Sequence, residues 1–230
     1  MKIGLVGYQG SGKSTLFEWL TGVAPDHSLA HSGQSAMATI PEPRIDALCE
    51  IYHPKKVTRA SLEIVDTPGL SRTHEGNAAR LALIREAGCL VLVVAAFDGS
   101  DPAAELVSFE EDLMLADMEL ITRRIERVED SMKKPVPRTE KEALTHEDQT
   151  LRLVLQRMES GNPLREDEMS DEQRKVTRAF RLLSEKPRMV VVNTADDEDH
   201  PERYAKCAPE GVPVFPVPVG LELELARMTP

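Results

Sequence analysis

Lys2-Ile3-Gly4-Leu5-Val6-Gly7-Tyr8-Gln9-Gly10-Ser11-Gly12-Lys13-Ser14-Thr15 is the stretch on which the reading of this chain turns. Its first five residues predict a short buried strand, and from Gly7 onward it fills every required position of the pattern G-x-x-x-x-G-K-[ST]. Polyphosphate oxygens need several donors converging from one side. Backbone N–H groups can crowd that closely only where glycine removes the Cβ, as at Gly7, Gly10 and Gly12. In such a cradle Lys13 reaches the β and γ phosphates, Ser14 offers its hydroxyl to Mg²⁺, and Gln9, Gly10, Ser11, Gly12 and Thr15 complete the nucleotide-binding set. A helix predicted from Ser14 through Leu20 aims its positive end at the anion.

Working outward, the 230 residues suffice for one large domain or a core with an insertion. A net charge of −11 argues against coating nucleic acid through overall charge and leaves room for a local basic face. Cys49, Cys89 and Cys207 are odd in number and far apart, without a C-x-x-C pair, so they are expected to be reduced. The six histidines are equally scattered, and no metal beyond Mg²⁺ is expected. The longest apolar run, Cys89 to Phe97, is too short to cross a bilayer, and Met1 leads straight into a strand. The expectation is a soluble cytoplasmic protein with no membrane partner.

A second motif lies downstream. Ser61-Leu62-Glu63-Ile64-Val65 alternates as a strand and delivers Asp66-Thr67-Pro68-Gly69, a D-x-x-G arrangement in which Asp66 would hold Mg²⁺ and the Gly69 N–H would sense the γ-phosphate. Lys13 and Gly69 are thus the candidate catalytic residues, and Ser14 and Asp66 the candidate metal ligands. Leu70 follows, where Ras-like switches carry a water-orienting glutamine, so hydrolysis is expected to be slow. Between the motifs, residues 24–36 are polar and without periodicity and predict a mobile loop, in which Ser28, Ser32 and Ser35 are the hydroxyls before Thr39 that could reach the metal. A helix is expected from Pro41 to Tyr52, with Ile45, Leu48 and Ile51 as its apolar face. Residues 71–78 predict a second switch loop and 79–87 a helix.

The apolar run Cys89 to Phe97 suits a central parallel strand covered on both faces. From Asp101 the composition shifts to long charged helices. Val107, Met114, Met118, Ile121, Ile125, Val128 and Met132 predict one seam of a coiled-coil hairpin, and Leu144, Leu151, Leu155 and Met158 the other, up to a stop at Ser160-Gly161-Asn162-Pro163. Ser170 and Gln173 predict a capping box on a third helix carrying Val176, Phe180 and Leu183. Arg123, Arg124, Arg127, Lys133, Lys134 and Arg138 give the hairpin a basic tip, readable as a solvated face or as an RNA-facing patch.

Strand character returns at Arg188–Val192 and ends in Asn193-Thr194-Ala195-Asp196, which resembles a base-reading N-K-x-D with Thr194 in place of lysine. Asn193 and Asp196 are the candidate base contacts, Asp196 as acceptor from guanine N1–H and the exocyclic amine. A last strand is expected at 213–219, with Gly220-Leu221-Glu222 where a second base loop would lie, and the chain stops at Thr229-Pro230 within an expected helix.

Taken together, Gly7–Thr15, Pro41-Glu42-Pro43-Arg44-Ile45-Asp46-Ala47-Leu48, Val65–Leu70, the coiled-coil insertion and Asn193–Asp196 resemble the YchF branch of the Obg GTPases. The resemblance covers essentially the whole chain. It implies an α/β Ras-like P-loop NTPase core, with a mainly parallel sheet and helices on both faces, and an inserted helical hairpin. Residues 1–99 and 187–230 would form the nucleotide-binding domain and 100–186 the insertion. It further implies hydrophobic Leu70 in the place of the catalytic glutamine, association with ribosomes or rRNA, and use of ATP as well as GTP. The chain departs from the branch in closing its base motif with Asp196 and in having no histidine between Asp98 and Glu105. Against the branch, a C-terminal TGS domain is expected to be missing from this chain.

The leading expectation is a regulatory, Mg²⁺-dependent purine nucleoside triphosphatase. A small-molecule kinase would share the phosphate loop but leave D-x-x-G and N-T-A-D unexplained. A degenerate scaffold acting without turnover would account for Leu70 and Thr194 but not for intact Lys13, Ser14 and Asp66.

Overall fold

The computed structural model describes residues 2–73, 76–161 and 169–228. Two compact units emerge, Met1–Leu106 with Arg188–Pro230, and Val107–Pro187.

The first unit is a six-stranded sheet in the order β2-β3-β1-β4-β5-β6. Its strands are β1 (Lys2–Val6), β2 (Gln34–Thr39), β3 (Ser61–Asp66), β4 (Cys89–Ala95), β5 (Arg188–Asn193) and β6 (Val214–Val217). All neighbours run parallel except β2 against β3. The helices of this unit are α1 (Lys13–Thr21), α2 (Pro43–Tyr52), α3 (Asn77–Glu86) and α7 (Val219–Met228). β4 holds a central place because six of its seven residues are buried, as the unbroken apolar run requires. Leu5, Leu16, Phe17, Ile64, Val93, Val191 and Val219 pack into one core beneath the helices. The parallel register pairs Leu5 with Asp66, Val6 with Leu92 and Ala95 with Asn193, so the carboxyl ends of four strands finish along one edge. Ligands of open α/β sheets bind at that edge.

The second unit contains most of α4 (Pro102–Met132), with α5 (Arg138–Glu159) and α6 (Asp171–Arg178). Ile121, Ile125, Leu151, Val154, Met158, Met169 and Leu182 form its core. Ser170 caps α6 with the expected box, its side chain accepting from the Gln173 N–H at 3.2 Å while Gln173 Oε1 accepts from the Ser170 N–H at 2.9 Å.

Several expectations are corrected. The segment expected to be a mobile loop contains a short 3-10 turn at His27–Leu29 and then the edge strand β2. β2 alternates inward and outward as a strand should, but its inward residues are Gln34, Ala36 and Ala38, too small or too polar to register as an apolar period. α2 begins at Pro43 with Glu42 as its cap, and Leu48 and Ile51 are exposed, so the expected apolar face is not buried within this unit. The buried row of α4 runs through Phe109, Leu113, Asp117, Ile121, Ile125 and Val128, while Val107 is exposed. Asp117 occupies a core position because its carboxylate accepts from both the N–H (2.8 Å) and the hydroxyl (2.9 Å) of Ser184. α6 ends at Arg178, before Phe180 and Leu183, and Arg181 takes a left-handed conformation at φ 48°. Gly220 to Glu222 lie inside α7. α5 ends at Glu159 with Ser160 as its cap, at the start of the expected Ser160-Gly161-Asn162-Pro163 stop, whose Asn162-Pro163, like the terminal Thr229-Pro230, lies outside the described residues. Among the described residues no helix is long and apolar enough to cross a membrane.

Leu151 is wholly buried at the centre of the helical core. Leu151→Ala should cost about 2–5 kcal/mol in that unit, seen as an earlier loss of helical signal in urea.

Candidate functional site

Residues 7–12 leave the carboxyl end of β1 and turn into α1. Gly7 adopts φ +149° with its Cα against the Val93 carbonyl, where a Cβ would sit 2.3 Å from the oxygen. Gly12, at φ +99°, caps α1 without a side chain. An anion can therefore approach the N–H groups of the first helical turn. A Cβ on Gly12 would also lie 2.3 Å from Asn193 Nδ2.

Lys13 is 6% exposed and curls back, its Nζ donating to the Tyr8 carbonyl at 2.6 Å and to Ser11 Oγ at 3.4 Å. Burial lowers its pKa to about 8, and the nearby carboxylates of Asp66 and Glu105 only partly oppose that shift. Ser14 Oγ donates to Asp66 Oδ2 at 2.6 Å. Asp66 Oδ1 is buried with no hydrogen-bond partner among the described residues. Burial raises the Asp66 pKa, against the Ser14 hydrogen bond and the Lys13 charge, which lower it. An oriented hydroxyl beside a carboxylate with one unused oxygen fits a hard divalent cation that completes its shell with phosphate oxygens and water. Among the described residues no three His, Cys, Asp or Glu side chains gather as an all-protein metal cage, as suits Mg²⁺ bound through one or two side chains plus phosphates.

The D-x-x-G loop is sewn to the phosphate loop. Thr67 Oγ1 donates to the Leu5 carbonyl at 2.6 Å, the Leu70 N–H to the Gly7 carbonyl at 3.0 Å, and the Gln9 N–H to the Leu70 carbonyl at 3.2 Å. Gly69 leaves no room for a side chain: a Cβ would meet Gln9 N at 2.8 Å and Lys13 Nζ at 2.9 Å. Leu70 is fully buried and serves as core.

These groups surround a cavity of about 510 Å³, whose walls include Gln9, Gly10, Lys13, Ser14, Thr15 and Asp66 to Gly69. Asn193 and Asp196 stand apart from its lining. Asn193 is buried, with Nδ2 donating to the Ser11 carbonyl at 3.2 Å and Oδ1 accepting from the Val219 N–H at 3.2 Å. Asp196 is exposed beyond the end of β5. Of the three candidate switch serines none lines the cavity, whereas His31 and Arg80 both do.

Residues that the sequence did not single out hold the loops in place. The Arg72 guanidinium lies 4.5 Å from the centroid of the Tyr8 ring and donates to buried Glu105 at 2.7 Å. Asn77 is buried and clasps Ser71, accepting from its N–H at 2.8 Å and donating to its carbonyl at 3.0 Å. Asn77 is the first residue of α3, after the Gly76 cap, and its bonds to Ser71 carry no capping signal in the sequence. At the expected basic tip, Arg123, Arg124, Lys133 and Arg138 each pair with a carboxylate, namely Glu119, Glu147, Asp130 and Glu142, as a solvated helix face does.

A phosphate beside Lys13 should raise its pKa from about 8, so binding above that value takes up a proton. Triphosphate affinity is accordingly expected to be flat below pH 8 and to fall by up to about ten-fold per unit above it. Calorimetry in buffers of different ionisation enthalpy would show the uptake directly.

Residues 2–136 match the model of the 50S ribosome-binding GTPase family. The chain is 30% identical over its full length to Obg-like ATPase 1 of Oryza sativa subsp. indica, and spans 64% of that relative. It is 29% identical to the ribosome-binding ATPase YchF of Bacillus subtilis, with 98% of this chain and 67% of the relative covered. The solved structure of the Schizosaccharomyces pombe YchF GTPase superposes on all of the chain and 68% of its own, with a TM-score of 0.80 at 24% identity, which supports the fold. The chain therefore belongs to the 50S ribosome-binding GTPase family, and its full-length relatives are YchF and Obg-like ATPases.

Proposed function

We propose that this chain binds a purine nucleoside triphosphate, GTP or ATP, together with Mg²⁺ and hydrolyses it slowly as a regulatory switch. The observation that carries the reading is the meeting of Lys13, Ser14, Asp66 and Gly69 in one cavity at the N-terminus of α1. Residues Gln9 to Thr15 would wrap the phosphates, and buried Lys13 would exchange its Tyr8 carbonyl contact for a phosphate oxygen. Ser14 and Asp66 would hold Mg²⁺, which would supply neutralisation of the phosphate charge. Gly69 would report the γ-phosphate through its N–H, and the bonds from Gln9 and Leu70 carry any movement of that loop to the phosphate loop.

With Leu70 in the core, the residue after Gly69 offers no group to orient water, and catalysis would rest on positioning and charge. That supports slow unaided turnover. Asn193 would act through the Ser11 carbonyl, leaving Asp196 as the side chain available to a base. Because the Bacillus subtilis relative is named a ribosome-binding ATPase and the family a 50S ribosome-binding GTPase, this chain's switch loops and helical unit are proposed to present surfaces to the ribosome or its RNA.

Phosphate release from GTP and from ATP, with and without Mg²⁺, tests the reading. Turnover should require the metal, and Asp66→Asn should lower it by about a hundred-fold or more. Turnover that ignores both the metal and Asp66, or transfer of phosphate to a small acceptor in place of water, would contradict it.

A further inference from the structure

Arg80 is the one arginine among the cavity-lining residues that lie outside both sequence motifs. It lies in the first turn of α3, where a cation faces the positive end of the helix dipole and is locally unfavourable. Its Nη1 donates to Asn77 Oδ1 at 3.3 Å, a neutral acceptor, and among the described residues no carboxylate pairs with it. Arg72 on the same loop does have such a partner in Glu105. The cavity is shared with Lys13, Ser14 and Gly69 and also carries the carboxylates of Glu18 and Asp26, yet among the described residues the half-buried guanidinium bonds only the neutral Asn77 acceptor, which leaves it able to take a bound anion.

Its position is also governed. Asn77, which holds Arg80, is itself locked on both sides to the backbone of Ser71, two residues beyond Gly69. Movement of the D-x-x-G loop would therefore move the guanidinium. We propose that Arg80 is an arginine supplied in cis to the terminal phosphate, stabilising the charge that gathers on its oxygens as the bond to the leaving diphosphate breaks. This rests on the triphosphatase reading above. In the step itself the water oxygen bonds to the γ phosphorus, the bond from that phosphorus to the β–γ bridging oxygen breaks, and its electron pair stays on the diphosphate. The proton of water passes to the released phosphate. A planar guanidinium fork suits two equatorial phosphate oxygens better than an ammonium does. Such an arginine makes good part of the assistance that Leu70 cannot give.

The test compares the wild-type chain with Arg80→Ala and Arg80→Lys. Single-turnover hydrolysis of GTP and ATP is measured alongside binding of the diphosphates and Mg²⁺, with and without aluminium fluoride. Arg80→Ala should lower kcat by about 10³-fold while KM stays within about three-fold. It should keep diphosphate affinity, lose the tightening that aluminium fluoride brings, and recover part of its rate in added guanidinium. Arg80→Lys, which keeps the charge and the helix, should fall between the two. A loss in Arg80→Ala of less than about ten-fold would overturn the inference and leave the triphosphatase reading standing. So would a fall in diphosphate affinity as large as the fall in rate. A wild-type chain that hydrolyses neither nucleotide would overturn both.

Discussion

Asn193 is the constraint on which the geometry of the site depends. One amide group bonds the Ser11 carbonyl in the phosphate loop and the Val219 N–H at the start of α7, joining segments far apart in the chain. Gly12 is pressed against that amide with no space for a Cβ, so the glycine of the motif answers to a protein contact as much as to a phosphate. On the other side, the Leu70 amide reaches the Gly7 carbonyl and Thr67 reaches Leu5. The loop is held from both flanks before any ligand arrives, which reduces the ordering that binding must supply.

That preorganisation stores an electrostatic imbalance. Lys13 is buried against carbonyl and hydroxyl oxygens, among the described residues without an ion-pair contact, and burial lowers its pKa to about 8. Asp66 carries a buried oxygen without a hydrogen-bond partner, and burial raises its pKa. Among the described residues Arg80 bonds a neutral acceptor alone. A triphosphate with a divalent cation would correct all three at once: anionic oxygens for the lysine and arginine, a cation for the aspartate. In the proposed reading these charges suit a metal–polyphosphate ligand better than a neutral one.

Much of this was legible in the sequence because motif and element coincide there. The phosphate loop sits between a strand and a helix, Asp66 ends a strand, and the apolar run of β4 lies at the middle of the sheet. What was not legible depends on tertiary partners. β2 hid because its inward residues are Ala36 and Ala38, whose burial needs the neighbouring strand β3 to be visible. The seam of α4 was legible at Ile121, Ile125 and Val128 but not at Asp117, which looks polar until Ser184 is beside it. Asn77, Arg72 and Glu105 bind one another's loops through contacts that no spacing rule encodes.

Calorimetric titration of the chain with non-hydrolysable GTP and ATP analogues in the presence of Mg²⁺, beside Lys13→Ala, tests the central claim most directly. At least one analogue should bind the wild-type chain with micromolar or better affinity, and Lys13→Ala should lose that binding. Absence of binding by either analogue, or equal affinity in Lys13→Ala, would contradict the account.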